Sequence, residues 1–209
     1  MASTATTLEL RRYRHGRVPR AVRERQVLEA AEQLFAEEGY GAASMDELSR
    51  RVGVSKPVVY ALFGSKEALW RRCVEDLAAG LEAAIVRAAA AEPDPARQME
   101  RCTLAFFEFV ATHRRLWEAL AWDRGPFAED AAAIRRHQDV LVTRLFTAAA
   151  GRRGAVVEEA KVAALAQTVN GALEALARWW GEHTDVPPAQ LTRWALELLL
   201  PGLLAQLDG

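Results

Sequence analysis

Three side chains with hydrogen-bond donors lie close together in the N-terminal third of the chain: Ser44, Ser55 and Lys56. Hydroxyl and ammonium groups of this kind bind phosphate oxygens, and a lysine also donates to the O6 and N7 atoms of guanine. Lys56 and Lys66 are two of only three lysines in the chain, against 24 arginines. These residues therefore indicate non-covalent recognition of a phosphate-rich partner.

A short helix is expected to begin after Ser44. This serine stands three residues before Glu47, which is the spacing of a capping box at a helix start. Gly53 ends the helix, because glycine readily adopts the left-handed conformation that a C-cap requires. The apolar residues of this helix share one face: Met45, Leu48 and Val52.

A second short helix follows a tight turn at Val54. Ser55 is expected to cap it, and Pro57 lies in its first turn, where a missing N–H costs little. Its apolar residues are Val58, Val59, Leu62 and Phe63. Two short helices around a glycine turn predict a helix-turn-helix, in which the second helix enters the major groove of DNA.

The N-terminal side chains of the second helix are the ones that read DNA in such a unit. We expect Lys56 to donate to guanine or to phosphate, and Pro57 and Val58 to contact thymine methyl groups. Val58 is alternatively a core residue. The two capping serines, Ser44 and Ser55, either donate to phosphates or only cap their helices.

The stretch from about residue 20 to residue 70 resembles the DNA-binding signature of the TetR family of transcription regulators. The matching residues are Leu34, Phe35, Gly39, Tyr40, Ser44, Leu48, Gly53, Val54, Ser55, Tyr60, Phe63, Ser65, Lys66, Glu67 and Leu69. The resemblance implies that Tyr60 and Lys66 donate to DNA phosphates. Leu62 departs from the pattern, since relatives often have His or Tyr there, and Asp46 is expected to face the DNA backbone unfavourably.

Charge is unevenly distributed along the 209 residues. Residues 1–72 carry a net charge of +4 and residues 73–209 carry −5, which fits a nucleic-acid-binding end on an acidic body. The chain has no uncharged apolar run of membrane-spanning length and no apolar leader segment, so we expect a cytoplasmic protein. Cys73 and Cys102 are expected to be reduced core residues, with redox sensing as the alternative.

Helical periodicity continues through the rest of the chain, without strand-like alternation of useful length. We therefore expect an all-α fold with a disordered basic arm over residues 1–18. A three-helix helix-turn-helix DNA-binding domain over 19–70 precedes a larger helical effector-binding and dimerisation domain over 71–209. A helix from Glu67 to about Ala91 links the two domains, and Pro201 should kink the last helix or end it near Leu200.

The helices expected over 156–182 and 189–207 carry wide apolar faces. The resemblance implies that they form a four-helix bundle with the same pair from a second subunit, giving a C2 homodimer for a palindromic operator. The alternative is burial inside the monomer. The predicted interface residues are Val162, Leu165, Val169, Leu173, Leu176, Trp180, Leu191, Trp194 and Leu198.

The resemblance also implies a central cavity for a small, fairly apolar effector. Such sites are mostly apolar, with a few polar groups that orient the ligand. The predicted lining residues are Phe106, Phe109, Trp117, Trp122, His137, Gln167, Asn170 and Glu174, of which the last three share one helix face. For each of them the alternative is a core or a surface position. No second ligand stands at a fixed spacing from His113 or His137, so we predict no metal site.

Together these features predict a DNA-binding transcription regulator that needs no cofactor, most simply a repressor released from its operator by the effector. One alternative is a regulator or activator without an effector. Another is an α-helical enzyme using His113, Asp123 or His137, although the sequence offers no nucleophile–base pair and no glycine-rich phosphate loop for it. The third is a protein-interaction dimer whose helix-turn-helix does not meet DNA.

Overall fold

A computed structural model describes residues 18–121, 128–155 and 157–206. These residues form nine α-helices and no strand, which confirms the all-α prediction. The helices are α1 Arg20–Ala42, α2 Met45–Val52, α3 Lys56–Phe63, α4 Lys66–Ala90, α5 Pro95–Thr112, α6 Arg114–Ala121, α7 Ala128–Arg152, α8 Glu159–Gly181 and α9 Pro188–Ala205. The predicted basic arm and Trp122 lie outside the described residues.

The chain divides into two compact units within α4, Met1–Leu77 and Ala78–Gly209. Trp70, on the second turn of α4, lies in an aromatic cluster of the N-terminal unit. Its ring is 5.1 Å from that of Phe35 and 5.7 Å from that of Tyr40, both edge-on. The beginning of α4 therefore belongs to the core of the N-terminal unit, and this division after Leu77 lies seven residues beyond the predicted boundary at residue 70.

The glycine turn of the helix-turn-helix forms as the sequence predicts. Gly53 has φ 72° and ψ 36°, the left-handed conformation of a C-cap. Ser44 caps α2 by accepting a hydrogen bond from the Asp46 N–H at 3.2 Å. The predicted capping-box partner behaves differently: the Glu47 carboxylate accepts from the Nε atoms of Arg50 at 3.0 Å and of Arg51 at 2.8 Å.

Trp180, near the end of α8, organises the C-terminal unit. Its side chain is only 2% exposed, and its Nε1 donates to the Val186 carbonyl at 2.7 Å. The Arg114 guanidinium at the start of α6 lies 4.2 Å from the ring centroid and donates to the Trp180 carbonyl. Phe107 of α5 meets the ring edge-on at 6.1 Å. One side chain thus contacts α5, α6 and the segment before α9.

Two outcomes are expected at Pro201, a kink in the last helix or its end near Leu200, and the second is wrong. The helix continues through Pro201 to Ala205. A proline ring removes the hydrogen bond to the carbonyl four residues earlier, here that of Glu197. Both Glu197 and Pro201 are exposed, and at an exposed position solvent can replace the lost hydrogen bond, so the proline does not require the helix to end.

Both cysteines are free thiols whose burial raises their pKa values. Cys73 is fully buried in the N-terminal unit, and the pKa of the half-buried Cys102 rises to about 11. A protonated thiol is a poor nucleophile. The structure therefore favours core residues over the redox-sensing alternative.

Glu32 on α1 gives the N-terminal unit a pH-dependent stability. Burial, with smaller contributions from the carboxylates of Asp76 and Glu29, raises its pKa to about 7. The folded state therefore binds a proton that the unfolded state releases above about pH 4.5. The stability from this protonated carboxyl is complete below that pH and is lost as the pH rises through about 7.

We predict that Glu32→Gln raises the free energy of unfolding by about 1–2 kcal/mol at pH 8 and changes it little at pH 4.5. Urea unfolding between these pH values measures the difference. Glu75→Gln, which neutralises an exposed carboxylate of the same unit, should leave the wild-type pH dependence in place. A Glu32→Gln protein that is less stable than wild type at pH 8 would contradict this assignment.

Candidate nucleic-acid interface and ligand cavity

The outer face of α3 carries the side chains that sequence analysis selected for reading DNA. Lys56 and Pro57 occupy the first two positions of the helix. Val58 is 38% exposed and Tyr60 is 39% exposed, whereas Val59 between them is fully buried. The core-residue alternative for Val58 is therefore not supported, because Val59 fills that place.

The two serines of the helix-turn-helix use their hydroxyl groups differently. Ser55 stands at the N-cap of α3, but its side chain makes no capping hydrogen bond. Its exposed hydroxyl has no structural task at this cap and is able to meet a phosphate. Ser44 accepts the capping bond from Asp46 and still has its own proton to donate.

Lys66 is the first residue of α4 and is held close to the end of α1. Its Nζ donates to the Gly41 carbonyl at 3.2 Å and lies 4.6 Å from the centroid of the Tyr40 ring. The ammonium group therefore stands at a helix N-terminus, where exposed N–H groups and the helix dipole favour a phosphate. These contacts limit the motion of Lys66 before any partner binds.

Lys56 and Asp46 form an ion pair across the turn. The Lys56 Nζ is 3.1 Å from Oδ2 of Asp46, and the side chains are 45% and 73% exposed. The sequence predicts a carboxylate at Asp46 that faces the DNA backbone unfavourably. The structure instead pairs it with the first side chain of α3.

The C-terminal unit contains an elongated apolar cavity of about 100 Å³ between α4, α5, α7, α8 and α9. It follows α7 from Gln138 to Ala150 and α8 from Val162 to Glu174, about 18 Å along each helix at 1.5 Å per residue. A cavity of this volume and length is narrow. Its lining is mainly aliphatic and includes Leu81, Ile85, Leu141, Val142, Leu145, Leu165, Val169, Leu173, Leu200, Leu203 and Leu204.

One cluster of polar side chains lines the cavity beside a hydrogen bond that joins α7 and α8, and Gln98, Thr103 and Gln206 also line the cavity. Asn170 Nδ2 donates to Oδ1 of Asp139 at 2.7 Å and so joins the two helices. Gln138, one residue earlier, has a buried Nε2 without a hydrogen-bond partner. Burial raises the pKa of Glu174, four residues after Asn170. These groups would orient the polar part of a ligand whose apolar part fills the remaining length.

Three of the eight predicted effector residues line this cavity: Phe106, Asn170 and Glu174. Phe109 instead stacks on His113 with a centroid distance of 4.1 Å. Trp117 is buried beside Phe106 and does not reach the cavity.

The remaining described effector residues lie at the surface. His137 Nε2 is 2.9 Å from a carboxylate oxygen of Glu82, with 61% of its side chain exposed, and Gln167 is also exposed. Sequence analysis missed the aliphatic residues, because Leu and Val at helical spacing look like ordinary core.

The predicted dimer face requires a correction. Five of its nine residues are buried inside the protomer, each at most 8% exposed: Val162, Val169, Leu173, Trp180 and Leu191. Leu165 also lines the cavity, and Leu176 is half-buried. The wide apolar stripe of α8 is used within the protomer, because it must cover both the core and the cavity. These residues cannot form an open surface for a second subunit.

A different set of side chains forms the outer face of α8 and α9. Trp194 and Leu198, both predicted, are 42% and 79% exposed, and Trp179 is 40% exposed. The rings of Trp179 and Trp194 are 6.1 Å apart, so they form one aromatic patch across the two helices. Gly171 and Ala175 continue this exposed face along α8. The sequence therefore predicts an interface on the side of α8 that is buried in the protomer, whereas the exposed side carries Gly171, Ala175 and Trp179.

Within the residues that the structure describes, no helix is long and apolar enough to cross a membrane. Within the same residues, no three His, Cys, Asp or Glu side chains are grouped so that they could hold a metal ion.

The geometry of the N-terminal unit agrees with its similarity to known proteins. Residues 27–73 match the family described as bacterial regulatory proteins, tetR family. The similarity to this family rests on the N-terminal unit. The HTH-type transcriptional activator FasR of Mycolicibacterium smegmatis is 39% identical over 101 residues, which cover 46% of this chain and 44% of FasR. The chain thus matches less than half the length of this curated relative.

Solved TetR-like structures match over most of the chain. A TetR-like transcriptional regulator from Rhodococcus sp. RHA1 has a TM-score of 0.68 and 26% identity, covering 90% of this chain and 99% of its own. The transcriptional regulator FadR from Bacillus subtilis, solved in complex with stearoyl-CoA, has a TM-score of 0.73 and 17% identity, covering 85% of this chain and 97% of its own. At this low identity FadR shows a shared fold only. The relatives are transcription regulators rather than enzymes.

Proposed function

We propose that this TetR-like protein is a homodimeric, ligand-responsive transcription regulator that acts in the cytoplasm. Its N-terminal unit binds double-stranded operator DNA, and its C-terminal unit binds a small effector. The proposal rests on two features of one chain. The N-terminal unit exposes the outer face of α3, and the C-terminal unit contains a narrow aliphatic cavity.

DNA contact is assigned to the exposed donors of the helix-turn-helix. Helix α3 enters the major groove with Lys56 at its N-terminus. The apolar atoms of Pro57 and Val58 beside it contact thymine methyl groups. Tyr60, Ser44, Ser55 and Lys66 donate to the phosphates on either side. The exposure of Lys56, Tyr60 and the two serines, and the burial of Val59 behind them, support this arrangement, in which Lys66 is half-buried.

The effector is assigned by the shape and lining of the cavity. A space that is narrow, about 18 Å long and mostly aliphatic suits an unbranched aliphatic chain better than a broad aromatic ring system. Each buried methylene contributes about 0.8 kcal/mol. The stearoyl-CoA bound to FadR is a molecule of this chemical class. We therefore propose an effector with a long acyl or alkyl chain, oriented by Gln138, Asn170 and Glu174.

The regulation that we propose is a population shift between two conformations. Helix α4 starts at Lys66 and continues to Leu81 and Ile85, which line the cavity. If α4 moves when the effector binds, Lys66, which is a proposed phosphate contact, moves with it. The effector favours a conformation in which the two reading helices of the dimer no longer match successive major grooves, about 34 Å apart. A regulator without an effector would require a filled C-terminal unit, and the cavity argues against it.

The dimer is assigned to the exposed face of α8 and α9 that includes Trp179, Trp194 and Leu198. Large exposed apolar side chains clustered on one surface are typical of protein interfaces. The small Gly171 and Ala175 let a second copy of α8 approach closely. A C2 dimer formed through this face would supply two copies of α3 for one palindromic site.

The first prediction from the proposed function concerns DNA contact. Lys66→Met should weaken binding to all sequences and reduce the slope of log K against log salt by about 1, because one charged phosphate contact is lost. Tyr60→Phe should weaken binding about fivefold with an unchanged slope, since a neutral hydrogen bond is worth about 1 kcal/mol. Titration of a site selected from random DNA at several salt concentrations measures both.

Lys161→Met is the matched control for these variants, because it removes an exposed lysine from the C-terminal unit. It should leave both affinity and slope unchanged. Wild-type affinity in both the Lys66→Met and the Tyr60→Phe proteins would overturn the assignment of the DNA-contact surface.

The second prediction concerns the dimer. Leu198→Glu places a charge at a side chain that is 79% exposed in the protomer, so helix content should persist while the dimer dissociates and operator binding falls. Leu191→Glu instead buries a charge in the protomer and should unfold it. Sedimentation velocity and circular dichroism separate the two results. A Leu198→Glu protein that remains a dimer would show that the subunits meet elsewhere.

A further inference from the structure

The ion pair between Asp46 and Lys56 joins the starts of the two helices of the helix-turn-helix. Asp46 is the second residue of α2, directly after its cap and first helical residue, and Lys56 is the first residue of α3. Their charged atoms are 3.1 Å apart, and both side chains are substantially exposed. The pair therefore lies at the junction of α2 and α3 on the proposed DNA-contact surface.

This ion pair contributes little to the stability of the fold. Exposed pairs are typically worth less than about 1 kcal/mol, because water screens them and two flexible side chains must be ordered. The α2 cap does not need the carboxylate, since Ser44 accepts from the backbone N–H of Asp46. The Asp46 side chain is therefore not required to build the helix-turn-helix.

A carboxylate on this surface also opposes DNA binding in general. It repels phosphates, and it occupies the ammonium group of Lys56, which would otherwise bind any phosphate within reach. Lysine is a flexible point charge that does not distinguish one phosphate from another by itself. An acidic partner that fixes Lys56 limits such sequence-independent contacts.

We propose that Asp46 is a specificity-determining residue, which holds Lys56 at the start of α3 and suppresses its use as a general phosphate contact. Lys56 is then left to donate to the O6 and N7 atoms of a guanine in the major groove. On a matching site this base contact compensates for the carboxylate, whereas on other sequences the repulsion remains. The inference rests on the proposed DNA-binding function, because it concerns how the same surface distinguishes sequences.

The test compares Asp46→Asn with wild type on the selected operator and on duplex DNA of unrelated sequence. Asparagine keeps the backbone cap and the side-chain shape while it removes the charge. We expect binding to unrelated DNA to strengthen by about three- to fivefold, which corresponds to one exposed ion pair, and operator binding to change by less than twofold. The ratio of the two affinities should therefore fall by at least about 1.5-fold.

Two further variants isolate the role of Lys56. Glu67→Gln removes one exposed carboxylate of the same unit that pairs with Arg71, and it should leave the affinity ratio unchanged. In a Lys56→Met background, Asp46→Asn should no longer change the ratio, because the residue through which it acts is absent. An unchanged ratio in the single Asp46→Asn variant, or an equal change in both backgrounds, overturns the proposal.

The outcomes keep this inference separate from the proposed function. If the wild-type protein selects no site and binds no DNA, the proposed function fails and the specificity argument fails with it. If wild type binds its operator and Asp46→Asn strengthens binding to operator and to unrelated DNA equally, DNA binding stands. Asp46 is in that case only a repulsive charge, and the specificity proposal is refuted.

Discussion

The C-terminal unit depends on the burial of Trp180. Its indole N–H is satisfied by the Val186 carbonyl, its face is covered by Arg114 and its edge by Phe107. A large aromatic side chain that packs on apolar, cationic and backbone groups at once fixes the elements around it in one arrangement. With this end of α8 fixed, the remaining length of α8 lies against α7, and the cavity lies along the two helices.

The cavity forms because the other α8 side chains do not fill the space between the helices. Val162, Leu165, Val169 and Leu173 point into it, and the opposing α7 residues are also aliphatic. None of these side chains is large enough to close a space about 18 Å long, and none supplies a charge. A mainly aliphatic lining with a polar cluster at Gln138, Asn170 and Glu174 suits an amphiphilic molecule bound in one orientation. The same residues thus explain both the core and the proposed ligand specificity.

The sequence predicts the helix-turn-helix well because its signals are local. Ser44 and Gly53 set the ends of α2 through their own backbone preferences, and Pro57 is compatible only with the first turn of α3. The places of Ser44, Gly53 and Pro57 in the two helices can therefore be predicted without knowing which distant residues pack against them. The same holds for the exposure of Lys56 and Tyr60. Only side-chain pairing, such as that of Asp46 with Lys56, requires the folded structure.

The outward face of α8 could not be predicted with the same success, since it depends on tertiary packing. The apolar stripe from Val162 to Leu173 fits a dimer face as well as a cavity wall, and helical spacing alone does not distinguish them. The exposed face is marked instead by Gly171, Ala175 and Trp179, a weaker signal that a search for large apolar residues overlooks. Aromatic residues such as Phe109 and Trp117 were favoured as ligand contacts, but the structure uses them for packing.

The central claim is that occupancy of the cavity and binding of the operator are coupled, and thermodynamic linkage tests it directly. The measurement is the affinity for the selected operator with and without straight-chain acyl thioesters of increasing length, and the affinity for each thioester with and without operator. The account predicts that the longer chains bind and that each partner weakens the other by the same factor, typically 5–150-fold. Thioester binding that leaves the operator affinity unchanged would contradict it.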